Sequence, residues 1–302
     1  MPLPADLPTP LTAVDDPVLA RAGVELRLKR DDLLHPTVPG NKWRKLTPNL
    51  ERALPEGHTR LVTFGGAYST HLRATAAAAR ALGLASVGIV RGEELADRPR
   101  NPSLAAAEAD GMELLFVARS AYRELVRARG HPLVQRWGRC LVLPEGGSNA
   151  LAVRGTAALP AELGDLGERD VVCCAVGTGG TLAGIAAGLP PGARALGVAV
   201  LRGEGYLEEE VAALHRAAYG REFDNWRIDH GHHGGGYGRV PAALEEFAAG
   251  FEQRHGIGLE RRYVAKALQA VHGLAAGGGI APGSRVTLVV TGLPDGPAVS
   301  RN

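Results

Sequence analysis

The chain has 302 residues, of which 45% are hydrophobic and 22% charged, as in a soluble globular protein with room for one large domain or two smaller ones. Its formal net charge is +2 and it holds no dense Lys/Arg block, which disfavours nucleic acid and anionic membrane as partners. No run of about 18 apolar residues is present, so no membrane-spanning helix is expected.

The opening stretch MPLPADLPTPLTAV is rich in proline and has neither the basic nor the apolar segment of a signal peptide. From residue 60 the chain alternates strand-like and helix-like segments. RLVTFGG (60–66) reads as a strand leading into a helix over 69–83, and ASVGIVRG (85–92) as a strand. A helix over 102–111 and a strand over 112–118 follow, then arginines at 119, 123, 127 and 129 that suit the solvated face of a helix. CLVLPEGG (140–147) is a strand and turn, with a further helix beginning at NALAVRG. DVVCCAVG (170–177) is a near-continuous apolar strand of the kind buried on both faces, and it runs into TGGTLAGIAAGL (178–189). Cys173 and Cys174 within it should face opposite sides. With Cys140 they are the only cysteines, and without a CxxC spacing they suit a reducing cytoplasm, with no zinc site or disulfide framework. A strand over 195–201, helices over 242–256 and 262–277, and a strand and loop over 285–296 complete the series. The stretch 202–241, with HGHHGGGYGRVP near its end, is the least periodic part and reads as a long functional loop. The alternation predicts an α/β chain with open, twisted, mostly parallel sheets flanked by helices.

Three strand–turn–helix junctions carry the chemistry. AVGTGGTLAG (175–184) brings glycines and a helix N-terminus together, a combination that favours an anion such as phosphate. It lacks the Gly-Lys-Ser/Thr of a nucleotide P-loop, and Leu182 stands where a dinucleotide fingerprint needs glycine. Ser69 or Thr70 is the expected N-cap of the next such junction, and Ser148 with Asn149 repeats the pattern. PGNKWRKL (39–46) holds two of only four lysines in a chain with 30 arginines. Arginine cannot form a Schiff base, whereas lysine can once burial or a neighbouring charge lowers its pKa. Lys42 and Lys45 are the candidates, with Lys29 and Lys266 as alternatives.

Taken in order, LKRDDL, PGNKWRKL, GGAYSTHLRATAAAA, LPEGGSNALAVRG, AVGTGGTLAG, GGGYGRVP, RYVAKAL and VVTGLPDG resemble the pyridoxal-phosphate enzymes grouped as D-cysteine desulfhydrase and 1-aminocyclopropane-1-carboxylate (ACC) deaminase, over roughly residues 25–296. The resemblance implies fold type II, with a large cofactor-binding domain (1–55 plus 153–302) and a small substrate-side domain (56–152). It implies pyridoxal 5'-phosphate as cofactor, a small amino acid as substrate and a homodimer as assembly. By position, Lys42 resembles the lysine bonded to the cofactor, and Lys45 a phosphate contact beside the backbone of Gly177, Thr178, Gly179, Gly180 and Thr181. Ser69, Thr70 and His71 fall where the family meets the substrate carboxylate, and Thr70 also stands at the position that contacts the cofactor's phenolic oxygen. Tyr263 resembles the tyrosine stacked on the pyridine ring, Tyr237 a second tyrosine over the substrate, and Thr291 the partner of the pyridine nitrogen.

Three positions depart from the pattern. Thr70 replaces a usual Asn, Pro39 replaces a usual Gly, and Val264 stands where ACC deaminases carry Glu. With the uncharged Thr291, this implies β-elimination from D-cysteine or a similar substrate, giving pyruvate and ammonia, ahead of cyclopropane opening. Racemisation or dehydration on the same fold, and a non-catalytic phosphate-ligand binder, are the competing expectations. His230, His232 and His233 are expected to belong to a polar loop, with no metal role.

Overall fold

The structure is a computed structural model that describes residues 3–38, 40–128, 136–203 and 205–292. Pro39, Arg129 and residues 293–296 of the last motif lie outside the described residues.

Two sheets organise the chain. The larger is built from β1 (Leu11–Val14), β2 (Glu25–Lys29), β7 (Asp170–Val176), β8 (Arg194–Ala199), β9 (Trp226–Asp229) and β10 (Arg285–Val289). Its order is β1-β2-β10-β7-β8-β9, parallel except for the β1–β2 pair. The smaller is built from β3 (Arg60–Gly65), β4 (Ala85–Arg91), β5 (Met112–Val117) and β6 (Cys140–Val142), all parallel in the order β5-β4-β3-β6. Crossovers between parallel strands are helical, as right-handed βαβ connections require. The helices are α1 (Pro17–Arg21), α2 (Asn41–Ala53), α3 (Thr70–Ala81), α4 (Pro102–Ala109), α5 (Arg119–Arg127), α6 (Ala150–Thr156), α7 (Gly180–Gly188), α8 (Tyr206–Tyr219), α9 (Ala242–His255) and α10 (Val264–Ala276).

Strand β7 is covered on both faces. Cys173 packs in the core formed with β2, β10, α9 and α10, and Cys174 in the opposite core with α6, α7 and α8. All three cysteines are buried free thiols. Helix α5 exposes Arg119, Arg123 and Arg127 and buries Tyr122. The segment 202–241 departs from its sequence reading, because it contains α8 and β9. Leu207, Val211, His215 and Ala218 are the buried residues of α8. They recur at helical spacing, but glutamates and the histidine-rich stretch beyond mask them in a window average.

Helix α2 packs into the core of the smaller sheet and also along α6. Trp43, Leu46 and Leu50 pack with Leu61 of β3, Ala74 and Ala77 of α3, and Leu143. Its other anchor is a buried ion cluster. Arg44 donates to both Asp31 oxygens at 2.8 Å and to Glu162 at 2.6 and 2.9 Å. Lys29 meets Glu162 at 2.7 Å. Burial alone would lower the Arg44 pKa, but the hydrogen bonds it donates to Asp31 and Glu162 raise it above the ordinary value. Glu162 is the mirror case: burial pushes it up, and Arg44 and Lys29 hold it below the usual range.

Replacing Arg44 by Met should cost about 3–5 kcal/mol, because it leaves the fully buried Asp31 carboxylate without its partner; urea unfolding checks this. The depressed Glu162 pKa adds stability that is present above its unfolded pKa of about 4.3 and lost as pH falls through the folded value. Glu162→Gln should therefore be less stable at pH 7 and should show a flatter loss of stability below pH about 4.5.

Candidate active site

A cavity of about 600 Å³ opens between the two sheets, beyond the C-terminal ends of β3, β4, β7 and β10. Parallel α/β sheets bind ligands at this edge because strands end and helix N-termini begin there. Every residue singled out for the site lines it: Lys42, Lys45, Ser69, Thr70, His71, the loop 177–181, Tyr237, Tyr263 and Thr291.

The lysines arrive on the first turn of α2, and Gly40 makes that entry possible. Its φ is +54°, and a Cβ there would lie 1.8 Å from the Thr291 carbonyl oxygen. Only glycine combines that conformation with so close an approach. Asn41 then donates its backbone N–H to the same carbonyl at 3.3 Å and its side-chain amide to Thr181 Oγ1 at 2.5 Å. Helical spacing of three places Lys42 and Lys45 on one face. Lys45 Nζ donates to Ser148 Oγ at 2.9 Å and to the Gly146 carbonyl at 3.1 Å, and Lys42 Nζ lies 3.4 Å from that carbonyl. Burial lowers the Lys42 pKa to about 8. Burial and then the Lys42 charge push Lys45 well below its ordinary value.

Opposite the lysines, the loop after β7 turns into α7 through Gly179 in the left-handed region. A Cβ at Gly180 would sit 2.5 Å from Ser148 Oγ and 2.9 Å from Lys45 Nζ, so glycine leaves a cradle beside the ammonium. Ser148 also bonds Thr178 Oγ1 at 2.6 Å. The cap of α6 is Asn149, which accepts from the Ala152 N–H at 2.9 Å, and Ser148 thereby belongs to the cradle. At α3 the cap is Ser69, which accepts from the Leu72 N–H at 3.3 Å. Thr70 and His71 follow on the first turn. His71 is buried, and neither ring nitrogen has a hydrogen-bond partner among the described residues. Burial, then Lys42 and Lys45, hold its pKa well below the usual range.

Tyr263 lies at the entry to α10, its ring 3.6 Å from the position of a Cβ on Gly177. Glu260 fixes it, accepting the backbone N–H of Arg262 at 2.8 Å and of Tyr263 at 2.6 Å. Burial raises the pKa of the Glu260 carboxyl and of both phenols, Tyr237 and Tyr263.

The alternative lysines take other places. Lys29 belongs to the ion cluster. Lys266 is buried with its pKa lowered to about 8, and donates to the Gly236 carbonyl at 3.0 Å, pinning the loop that carries Tyr237. In the histidine-rich stretch, His230 pairs with Glu208 and His232 with Asp229, each at 2.7 Å, and His233 accepts the Gly235 N–H. No group of three metal-ligating side chains occurs among the described residues. Sequence reasoning missed Asn41, Arg91, Glu145 and Glu260, which also line the cavity. Arg91 carries a readable signal, since it is the last residue of a parallel strand.

Fold and site together define a pyridoxal-phosphate enzyme of fold type II, and the family comparison agrees. The model described as "Pyridoxal-phosphate dependent enzyme" matches residues 3–292, and the chain belongs to that family. Among curated relatives, a putative ACC deaminase of Pyrococcus horikoshii is 29% identical over 89% of this chain and 85% of its own length. A D-cysteine desulfhydrase of Salmonella paratyphi B is 33% identical over 66% of this chain and 64% of its own. The aligned part covers about half of two further putative ACC deaminases, 54% of one from Thermotoga maritima and 52% of one from Pyrococcus abyssi. The crystal structure of an ACC deaminase homologue superposes with a TM-score of 0.81 at 27% identity, covering 94% of this chain and 89% of that one. Pyridoxal phosphate fits the residues present: an amine of lowered pKa, a glycine cradle beside a second ammonium, and an aromatic ring above the loop.

In the cofactor-free protein, Lys42 should acetylate with a midpoint at about pH 8. Peptide mass spectrometry across a pH series reads this directly, and a midpoint near the ordinary lysine value of 10.5 would place the ammonium in water.

Proposed function

We propose that the protein is a pyridoxal-phosphate-dependent lyase that acts on a small amino acid by β-elimination, with D-cysteine or a close analogue as substrate. The observation that carries this is Lys42, a buried amine of lowered pKa between the glycine cradle and the N-terminus of α3. The relatives named D-cysteine desulfhydrase and ACC deaminase support the reaction class.

Bound here, pyridoxal phosphate supplies the electron sink for the pair left at the substrate α-carbon. Lys42 holds the cofactor covalently through Nζ, and as a free amine takes the α-proton. Lys45 and the N–H groups of Gly177–Thr181 hold the phosphate, where the α7 dipole adds to the ammonium charge. Ser69, Thr70 and His71 would present hydroxyls, N–H groups and an uncharged imidazole to the substrate carboxylate. Tyr263 would hold the cofactor ring and Tyr237 the substrate. Thr291 would offer the pyridine nitrogen a hydroxyl, which cannot stabilise a protonated nitrogen as a carboxylate does. The weaker sink favours prompt departure of a β-substituent. Val264 is in the core behind Tyr263, so the acid that ACC deaminases carry at this position is absent from the cavity wall. The net reaction takes D-cysteine and water to pyruvate, ammonia and hydrogen sulfide. Three buried thiols suit a cytoplasmic setting.

The holoenzyme should release pyruvate from D-cysteine, and Lys42→Ala should lower that rate by at least about 10²-fold, the scale of a lost general base. Coupled pyruvate and 2-oxobutyrate assays read both reactions. Release of 2-oxobutyrate from ACC without pyruvate from D-cysteine would reverse the order of the two substrates.

A further inference from the structure

The cavity carries more positive charge than this chemistry uses. Besides the two lysines, Arg91, Arg202 and Arg239 line it. Several arginines elsewhere pair with carboxylates, among them Arg30, Arg44, Arg261 and Arg285. Among the described residues, Arg91, Arg202 and Arg239 have no carboxylate oxygen within 4 Å. Arg91 instead lies over the ring of Tyr122, 5.7 Å from its centroid. A Cβ on Gly66 would lie 3.5 Å from its Nη2 and 3.3 Å from Tyr237 Cε1. The guanidinium, at the end of β4, therefore stands beside Tyr237 and close to Gly66, which follows the strand that leads to Ser69. Arg202 and Arg239 are exposed and line the same cavity. Two acids also line the cavity. Glu260 is engaged by backbone N–H groups, which leaves Glu145 as the other carboxylate of the cavity lining.

Resting on the lyase reading above, we propose that Arg91, backed by Arg202 and Arg239, binds a second anionic group at the far end of the substrate side chain. The preferred substrate is then a β-substituted alanine whose leaving group is itself an anion. The cofactor phosphate belongs to Lys45 and the glycine loop, and the α-carboxylate to the start of α3, so neither claims these arginines. Guanidinium suits a carboxylate or other oxyanion because its fork donates two parallel N–H groups. With S-carboxymethylcysteine, elimination breaks the Cβ–S bond, the sulfur leaves with the bonding pair and takes a proton as thioglycolate, and water completes pyruvate and ammonia.

The test compares both enantiomers of S-carboxymethylcysteine with those of S-ethylcysteine, which lacks only the charge. Calorimetric titration of the holoenzyme should show the carboxymethyl compound binding at least about tenfold tighter, the scale of one charge-assisted pair. Arg91→Gln should shrink that ratio at least fivefold, and Arg91→Lys should restore part of it. Arg202→Gln combined with Arg239→Gln, both on the surface, should reduce it too and covers a failure of Arg91→Gln to fold. Equal affinities in the wild type, a ratio untouched by all variants, or no binding of either compound overturns the proposal. Pyruvate release is measured separately: a strong preference without pyruvate sinks the elimination reading alone, and turnover of D-cysteine without preference sinks this one alone.

Discussion

The buried cluster of Lys29, Asp31, Arg44 and Glu162 fixes the rotation of α2, and the site depends on that rotation. Consecutive helical residues differ in direction by about 100°. Asn41 reaches Thr181, Trp43 enters the core under β3, Arg44 enters the ion cluster, and Lys45 reaches Ser148. Turning the helix by one residue would move both lysines off the cavity and force Arg44 out of its carboxylates. Each alternative strands a buried charge, which costs more than the native pair contributes in net stability. The value of the cluster lies in this uniqueness, since a hydrophobic replacement could stabilise the fold without specifying where Lys42 points.

The close contact between Gly40 and the Thr291 carbonyl does the complementary task. It joins the start of α2 to the segment after β10, so Lys42 and Thr291, which both line the cavity, are set relative to each other by one backbone contact. Asn41 extends the link to the phosphate loop through Thr181. Three segments far apart in sequence thereby meet at PGNKWRKL, which accounts for the density of distinct residue types in so short a stretch.

Much of this was legible in the sequence. Apolar strands and alanine-rich helices announce themselves by periodicity, and β7 with its two cysteines is an example. The site lysines were legible through their rarity, but the reason was partly different from the one inferred. Lys29, Lys45 and Lys266 are all buried and Lys42 lines the cavity, so this chain places arginine on its surface and a compact ammonium among interior carbonyls. Rarity therefore reported burial, which three of the four lysines share. Helix α8 was missed because its buried face carries His215, which donates to the Ala183 carbonyl and looks polar in any window. Glu145 and Glu260 were missed because turns and helix entries converge only in three dimensions and no local pattern distinguishes them from solvated charges, whereas the place of Arg91 at the end of a parallel strand was open to reading.

Electrostatics give the cradle a sign. Lys42, Lys45 and His71 all have lowered pKa values, Lys42 through burial, Lys45 through burial and the Lys42 charge, and His71 through burial and both lysines. For basic groups depressed in this way, the unfolded chain binds more protons, so the cofactor-free fold loses stability as pH falls from the ordinary lysine range through the folded values. A dianion placed beside Lys45 and His71 would oppose these shifts and favour their protonated forms, so binding of such an anion would be coupled to proton uptake.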